Sequence, residues 1–255
     1  EGSKKFMKDF LSRHKIPTAT YESFNDLEAA IKHLEKSSIP IVIKADGLAA
    51  GKGVTVAQSY KEAEKAIRDC LEEKTFGEAG SEVVIEELLE GEEASFIVMT
   101  DGKTIIPLAS SQDHKTRDNQ DKGPNTGGMG AYSPAPVVTT MIHEKIMNEV
   151  IRPTIEGLTK EGINYCGFLY AGLIVDSQQN IKVLEFNCRF GDPETQPILM
   201  RMESDLIELC YQASKRELQK TELQWNPKVS LGVVMASGGY PHEYEKGYTI
   251  EGLPA

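Results

Sequence analysis

Residues Val183–Glu194, which read VLEFNCRFGDPE, decide the fold and the chemistry that this sequence predicts. The stretch begins as an apolar strand and ends as a charged turn. Side chains two positions apart in a strand point to the same face, so Glu185, Asn187 and Arg189 are predicted to form one polar row. Val183 is expected on that face as well. Such a row suits a hard cation bound beside a phosphate; the alternative is an edge strand with a solvated polar face.

The composition is that of a globular protein, with 40% hydrophobic and 26% charged residues among 255. Its net charge of −11 argues against a broad nucleic-acid or anionic-membrane surface, because both of those partners are negative. An anionic substrate therefore needs a local cluster of Lys and Arg. No apolar run reaches the length of a membrane-spanning helix. The chain begins at Glu1 rather than Met, from which we expect a fragment or a processed piece.

The four cysteines, Cys70, Cys166, Cys188 and Cys210, are scattered singly along the chain. Without a C-x-x-C pair they predict reduced thiols rather than a disulfide framework or a zinc site. Reduced thiols are typical of a cytoplasmic protein, and that is the location we expect.

Hydrophobic periodicity predicts a mixture of helices and strands along the whole chain. In the first part Ser3 and Asn25 are expected to act as helix N-caps, and later Asp192 and Pro193 are expected to start a helix as N-cap and first residue. A bend is expected at Pro153. The predicted helices cover 3–15, 25–36, 59–73, 139–160, 192 onward and 204–218, and the predicted strands cover 40–45, 54–57, 82–87, 94–100, 104–108, 166–175 and, as a buried strand, 229–236.

The glycine-rich loop at 46–53, DGLAAGKG, is not a P-loop. A P-loop reads G-x-x-x-x-G-K-[ST] and is followed by a helix. Here the first two glycines are one residue too close, Gly53 stands where Ser or Thr is needed, and a strand follows. A strand–turn–strand that carries Lys44 and Lys52 can instead close over a triphosphate as a lid. The alternative is an ordinary hairpin with a solvated lysine.

A hinge between two lobes is predicted at Glu86, Glu87, Leu88 and Leu89. Hinge backbone lies outside the strand ladders, so its N–H and C=O groups can pair with the edge of a purine. Glu93 follows closely, where a carboxylate can accept hydrogen bonds from ribose hydroxyls. The alternative is a solvated acidic surface.

A second glycine-rich loop, GPNTGGMG at 123–130, has four glycines in eight residues. Such a segment cannot pack a core, and it lets the backbone approach a ligand closely. Its specific polar side chains are unusual for a linker.

Taken together, five ordered motifs resemble the phosphoribosylamine–glycine ligase family of ATP-grasp enzymes. They are IKADGLAAGKGV at 43–54, EELL at 86–89, QDHK at 112–115, GPNTGGMGA at 123–131 and LEFNCRFGDPE at 184–194. The resemblance covers essentially the whole chain and implies an α+β ATP-grasp fold in which two lobes hold ATP between them. It divides the chain into a connecting helix (1–19), a lid lobe (20–84), a large lobe with the metal and substrate site (85–224) and the start of an incomplete C-terminal domain (225–255), and it implies a missing N-terminal domain.

The family resemblance also implies an activity. Glycine would be phosphorylated by ATP to glycyl phosphate, and 5-phosphoribosylamine would then displace phosphate to give glycinamide ribonucleotide in de novo purine biosynthesis. Carboxylate and triphosphate repel each other until cations intervene, so Mg²⁺ or Mn²⁺ is expected with ATP. The family further implies a cytoplasmic protein, which we expect to be a monomer without nucleic-acid or membrane partners.

The same resemblance assigns roles to individual residues of this sequence. Glu185 and Asn187 would hold the metal, and Arg189, Lys52 and Asp192 would act in catalysis. ATP would contact Lys44, Gly51, Lys52, Gly53, Glu86, Glu87, Leu88, Leu89, Glu93, Lys115 and Asn125, and the other substrates would contact Asn125, Thr126, Gly127, Gly128, Arg189 and Asp192.

One departure from the ATP-grasp pattern concerns the metal. Many members supply another carboxylate from the preceding strand, but here residues 168–175 are apolar until Asp176. One carboxylate and one amide are therefore expected to anchor the metal, with water and phosphate completing its shell. Two other functions remain open: another ATP-grasp carboxylate–amine ligase or carboxylase, and a nucleotide-binding fragment that is inactive alone.

Overall fold

The computed structural model describes residues 1–49, 53–120, 122–219 and 222–252. Within them no helix is long and apolar enough to cross a bilayer. The helices are α1 (Lys4–Arg13), α2 (Leu27–Leu34), α3 (Tyr60–Leu71), α4 (Thr140–Lys145), α5 (Arg152–Lys160), α6 (Thr195–Arg201) and α7 (Leu206–Lys215). The strands are β1 (Tyr21–Phe24), β2 (Ile41–Ala45), β3 (Val54–Ala57), β4 (Val83–Glu87), β5 (Glu92–Thr100), β6 (Ile105–Pro107), β7 (Gln112–Asp113), β8 (Thr116–Asp118), β9 (Lys122–Asn125), β10 (Gly130–Ser133), β11 (Gly167–Val175), β12 (Ile181–Asn187) and β13 (Ser230–Val233).

The small lobe is a four-stranded antiparallel sheet in the order β1-β4-β2-β3, with α2 and α3 packed against it. Its core includes the fully buried side chains of Ile43 and Ile85. Asp26 caps α2, since its carboxylate accepts a hydrogen bond from the N–H of Ala29. The predicted cap, Asn25, is therefore wrong by one residue; Asp and Asn satisfy the free N–H groups of a helix start equally well.

The large lobe is built on the antiparallel sheet β12-β11-β5-β6. One face packs around Phe96 and Leu173 against α1 and the helical segment 140–160. The other face packs around Ile97 and Tyr170 against α6 and α7. Helix α1 thus precedes the small lobe in sequence but contributes its apolar side to the core of the large lobe. Ser3 caps it as predicted, accepting from the N–H of Phe6.

The helix predicted over 139–160 is present but changes type along its length. Thr139 caps α4, a π-helical turn follows over Ile146–Ile151, and α5 starts with Pro153 in its first turn. Proline has no N–H to donate to the preceding turn, so the hydrogen-bond ladder changes there. The helix type thus changes next to Pro153, and the bend at this residue stays a prediction.

Strand β12 carries a β-bulge that alters which side chains share a face. Glu185 lies opposite Gly172 and Val183 lies opposite Leu173, so the register skips Leu184. Val183 is therefore fully buried in the large-lobe core, and its predicted place on the face of Glu185 is wrong. The strand also ends at Asn187, so Arg189 lies beyond it rather than on its face.

Two further predictions about the second half of the chain are wrong. Helix α6 begins at Thr195 with Glu194 as its N-cap, so Asp192 and Pro193 precede it in a turn and do not start it. The strand predicted as buried over 229–236 is the edge strand β13, paired with β10 in the sheet β13-β10-β7. It packs on one side only, and Leu231 and Val233 expose 68% and 71% of their surface on the other.

Candidate active site

The predicted metal ligands lie together on β12. The bulge turns Glu185 away from the core, and the side-chain amide of Asn187 donates to Glu185 Oε1 over 3.3 Å. Both side chains are half-buried. A carboxylate and an amide on side chains in contact can both offer an oxygen to one hard cation. Within the described residues no group of three or more His, Cys, Asp or Glu side chains could hold a metal, so this pair can supply only part of a shell.

Of the two predicted lid lysines, the structure describes Lys44. It lies on β2 and forms an ion pair with Glu86 on the neighbouring strand β4. The same carboxylate forms a second ion pair with Lys8 of α1, and Lys8 also donates to Thr18 Oγ1 over 2.8 Å. Burial lowers the pKa of the Lys8 ammonium below its ordinary value, and Glu86 opposes that effect. Glu86 therefore has its side chain engaged between two lysines. Its backbone, like that of Glu87, belongs to β4, which pairs with strands on both sides, so the prediction that these two residues lie outside the strand ladders is wrong.

Lys4 connects the two lobes electrostatically. Its ammonium donates to the carbonyl oxygens of Asp46 and Gly47, at 3.4 and 3.0 Å, at the entry to the glycine-rich loop. Burial is the largest influence that lowers the pKa of Lys4, and the charge of Lys44 lowers it further, while Asp46 and Glu185 raise it. Lys4 thus joins α1 to the start of the glycine-rich loop, and it contributes positive charge near Lys44 and Glu185.

The hinge prediction gains support from the backbone of Leu88 and Leu89. Within the described part of the chain, their N–H and C=O groups have no hydrogen-bonding partner. The Glu87 carboxylate points elsewhere, accepting from Lys182 at 2.7 Å and from the N–H of Thr20 at 3.0 Å. The hydrogen bond from Lys182 is the main cause that lowers the pKa of Glu87. A cavity of about 280 Å³ borders the hinge, lined by Glu87, Leu88, Leu89, Glu90, Ile174, Asp176, Asn180 and Lys182.

Glu93 and Lys115, predicted for ribose and phosphate, form an ion pair at 2.8 Å. Burial acts to lower the pKa of Lys115, but the carboxylates of Asp113 and Glu93 outweigh it and raise that pKa. Burial raises the pKa of Asp113 to about 6, with further upward contributions from Glu194 and Glu93. This part of the site therefore concentrates negative charge around one lysine.

The second glycine-rich loop folds against the turn that follows β12. The Thr126 hydroxyl donates to the carbonyl of Lys115 and accepts from the N–H of Gly128. Gly128 has a φ of +125°, and a Cβ there would lie 2.4 Å from Cδ of Pro193. Only glycine allows this contact. The predicted residues Thr126, Gly127 and Gly128 are thus brought beside Asp192, whose backbone carbonyl lies at the same contact.

The remaining predicted site residues lie apart from the contacts described above or outside the described residues. Arg189 is exposed, with its guanidinium bonded to Glu1 and to the carbonyl of Phe190. Asn125 is an exposed residue at the end of β9. Gly53 is buried, and a Cβ there would meet the side chain of Ala49. Gly51 and Lys52 lie outside the described residues, so the lid tip stays a prediction.

Sequence reasoning missed four charged residues of this cleft. Glu194 is buried, and its Oε1 accepts from Ser95, while its Oε2 has no partner within the described residues. In the sequence analysis Asp113 appears only within the motif QDHK, and neither Lys4 nor Lys8 is assigned a role. A signal did exist for Lys8, since it lies beside Met7 and Leu11 on the apolar stripe of α1, where a solvated lysine is not expected.

The sequence matches the family model described as "Phosphoribosylglycinamide synthetase, ATP-grasp (A) domain" over residues 2–195. The chain belongs to this family. Phosphoribosylamine–glycine ligases from Vibrio vulnificus and Escherichia coli are 61% and 60% identical to it over 254 residues. These alignments cover 100% of this chain and 59% of each relative, so the chain spans about three-fifths of the length of the relatives it matches.

Solved structures extend the comparison to the fold. A crystal structure of phosphoribosylamine–glycine ligase from Thermotoga maritima aligns with a TM-score of 0.85 and 34% identity, covering 97% of this chain and 62% of that one. The biotin carboxylase domain of a Hydrogenobacter thermophilus 2-oxoglutarate carboxylase, in complex with MgADP, aligns with a TM-score of 0.70 over 90% of this chain at 18% identity, which shows the fold alone. The predicted α+β ATP-grasp fold is confirmed.

Proposed function

We propose that this chain is the nucleotide-binding core of an ATP-dependent ligase that joins glycine to 5-phosphoribosylamine. The products are glycinamide ribonucleotide, ADP and phosphate. The observation that carries the proposal is the contact between Glu185 and Asn187 on β12, because a carboxylate and an amide together offer oxygen donors for a cation that accompanies nucleotide phosphates. The identity of 60% to the Escherichia coli ligase supports the choice of substrates.

In the proposed complex ATP binds with its purine at the hinge and its phosphates near the lid lysines. The free backbone groups of Leu88 and Leu89 pair with the purine edge, and Glu93 accepts from the ribose hydroxyls. Lys44, Lys52 and Lys115 contact the phosphates, together with backbone N–H groups at Gly51 and Gly53 and the side chain of Asn125. Each lysine that is now paired with a carboxylate exchanges that partner for a phosphate oxygen, which conserves a charge-assisted hydrogen bond.

Glu185 and Asn187 fit a magnesium or manganese ion, because both offer oxygen donors and Mg²⁺ is ordinarily held by one or two carboxylates plus phosphate oxygens and water. Bound there, the ion would neutralise charge on the phosphates. Lys44 and Lys4 bring further positive charge to the same region. The glycine carboxylate can then attack the γ-phosphorus, forming a phosphorus–oxygen bond as the bond to ADP breaks.

The second step takes place on the acceptor side. The amine of phosphoribosylamine attacks the carbonyl carbon of glycyl phosphate, loses a proton and expels phosphate. Thr126, Gly127, Gly128 and Asp192 line this side in the proposal, and Arg189 stabilises the developing charge after leaving Glu1. We place the protein in the cytoplasm as a monomer.

The test is ADP release by the chain extended to the full length of its relatives, supplied with ATP, glycine and freshly made phosphoribosylamine. We expect ADP only when both co-substrates are present. ADP release that continues without glycine, or with another acid in its place, would overturn the assignment. The chain of 255 residues alone is expected to bind ADP and to turn over poorly, which calorimetry and the same ADP assay check together.

A further inference from the structure

Three buried charged side chains meet at the junction of the two lobes: Lys8, Glu86 and Lys44. The Glu86 carboxylate forms ion pairs with both lysines, so the cluster carries one net positive charge. Burying charge is unfavourable unless each group has a partner of opposite sign, and here two cations share one anion. The second lysine therefore needs an explanation beyond pairing Glu86.

The two lysines differ in their access to the cleft. The side chain of Lys8 is fully buried, at 0% exposure, whereas that of Lys44 is 11% exposed. Lys8 is also fixed by its hydrogen bond to the Thr18 hydroxyl, which donates in turn to the carbonyl of Val183 over 2.7 Å. Lys8 cannot reach a ligand, and Lys44 can.

Because only Lys44 can reach a ligand, it is the lysine that can exchange Glu86 for a phosphate. When Lys44 turns toward a phosphate, it leaves a buried carboxylate behind. Without another cation, Glu86 would then be an unpaired buried charge, and that cost would oppose phosphate binding. Lys8 stays in place and keeps Glu86 paired.

We infer that Lys8 is a positioning residue that lets Lys44 bind the nucleotide phosphates by remaining as the counter-ion of Glu86. The inference rests on the proposed function, because it requires a phosphate-bearing nucleotide in the cleft. Lys8 touches neither the nucleotide nor the metal pair, and it acts only through Glu86 and Lys44.

The test compares the affinities of this chain for ADP and for adenosine by calorimetry, since only ADP presents phosphates. In the native chain ADP binds more tightly than adenosine. In Lys8→Met the ADP affinity falls about ten- to hundredfold, because Lys44 is retained by Glu86, while adenosine binding stays within about threefold. Lys5→Met is the matched control: Lys5 lies on the same helix, is 38% exposed and pairs with Asp9, and its loss leaves both affinities unchanged.

A second variant separates the exchange from a loss of structure. In Lys8→Met/Glu86→Gln no buried carboxylate competes for Lys44, so the preference for ADP over adenosine returns. A merely structural role for Lys8 predicts instead that both affinities fall together and that the second substitution restores nothing, which would overturn the inference. Should Lys8→Met not fold, the double variant carries the test alone, and absence of the ADP preference there overturns the inference as well.

The outcomes also separate the inference from the proposed function. If the native chain binds ADP no more tightly than adenosine, the proposed phosphate site fails and the inference fails with it. If the native chain shows the preference and Lys8→Met keeps it undiminished, the inference alone is wrong.

Discussion

The two sides of the cleft hold their charges in different ways. On the lid side, Glu86 is 3% exposed and pairs with two lysines. On the large-lobe side, Glu93 and Lys115 form an ion pair whose side chains are 41% and 35% exposed. Removing one partner of a buried ion pair leaves an uncompensated buried charge, whereas half-exposed pairs contribute little to stability. The comparison predicts large stability effects on the lid side and small ones on the other.

The largest effect is expected from removing the anion of the lid side. Glu86→Leu leaves two buried lysines without a counter-ion, and it should lower the free energy of unfolding by about 3–5 kcal/mol. Glu93→Leu removes the partner of a half-exposed lysine only, and it should lower the free energy of unfolding by less than about 1 kcal/mol. Urea denaturation of both variants measures the difference. Equal losses would mean that the two sides do not differ as their burial indicates.

On the large-lobe side, by contrast, we expect a substitution to lower activity while it changes stability little. Glu185→Gln keeps the shape of the side chain but removes the charge that would bind a metal, so kcat of the full-length enzyme should fall by about a hundredfold. Because Glu185 is half-buried and its charge is not part of a buried ion pair, the melting temperature should change little. Glu92→Gln, an exposed carboxylate at the start of β5, serves as the control. Parallel losses of activity and melting temperature would make Glu185 a structural carboxylate.

The large-lobe side should also show a stability that depends on pH. Burial raises the pKa of Asp113 from 3.8 to about 6. The folded state therefore binds more protons than the unfolded state between these values, and the contribution of Asp113 to stability falls as pH rises from about 4 to 6.

Asp113→Asn abolishes that titration. Relative to the native chain, the variant should gain on the order of 2 kcal/mol in unfolding free energy between pH 4 and pH 7. Urea denaturation at the two pH values gives the difference. An offset between variant and native chain that is the same at both pH values would show that Asp113 does not titrate in this window.

The sequence predicted the side-chain contacts of the large-lobe side better than those of the lid side, and the reason is physical. Glu185 and Asn187 are close in the chain, so strand periodicity alone places them together, and the structure confirms their contact. The error at Val183 arose from a bulge, which periodicity cannot reveal. Lys8 and Glu86 are far apart in the chain, and their pairing depends on how α1 crosses the lobes. A local pattern does not encode such a contact.

The smallest effect tests whether backbone contacts, rather than charge, shape the acceptor end of the large-lobe side. Gly128→Ala and Gly162→Ala both put a side chain on backbone with positive φ, +125° and +79°. At Gly162 no atom lies within 4 Å of the added Cβ, whereas at Gly128 it meets Pro193 at 2.4 Å. Gly128→Ala should therefore cost about 1–2 kcal/mol more than Gly162→Ala in urea denaturation.

The same pair of variants separates structure from function at that end. If the loop lines the acceptor side as proposed, Gly128→Ala should also raise KM for phosphoribosylamine in the full-length enzyme, because the added Cβ forces the loop away from Pro193. Gly162→Ala also places a side chain on backbone with positive φ, but no atom lies within 4 Å of its Cβ, and it should leave KM as it is. Identical stability losses and unchanged KM in both variants would mean that the contact between the loop and Pro193 relaxes freely. The loop would then be held by its hydrogen bonds to Lys115 and Tyr240, at 2.8 and 3.2 Å, and not by packing.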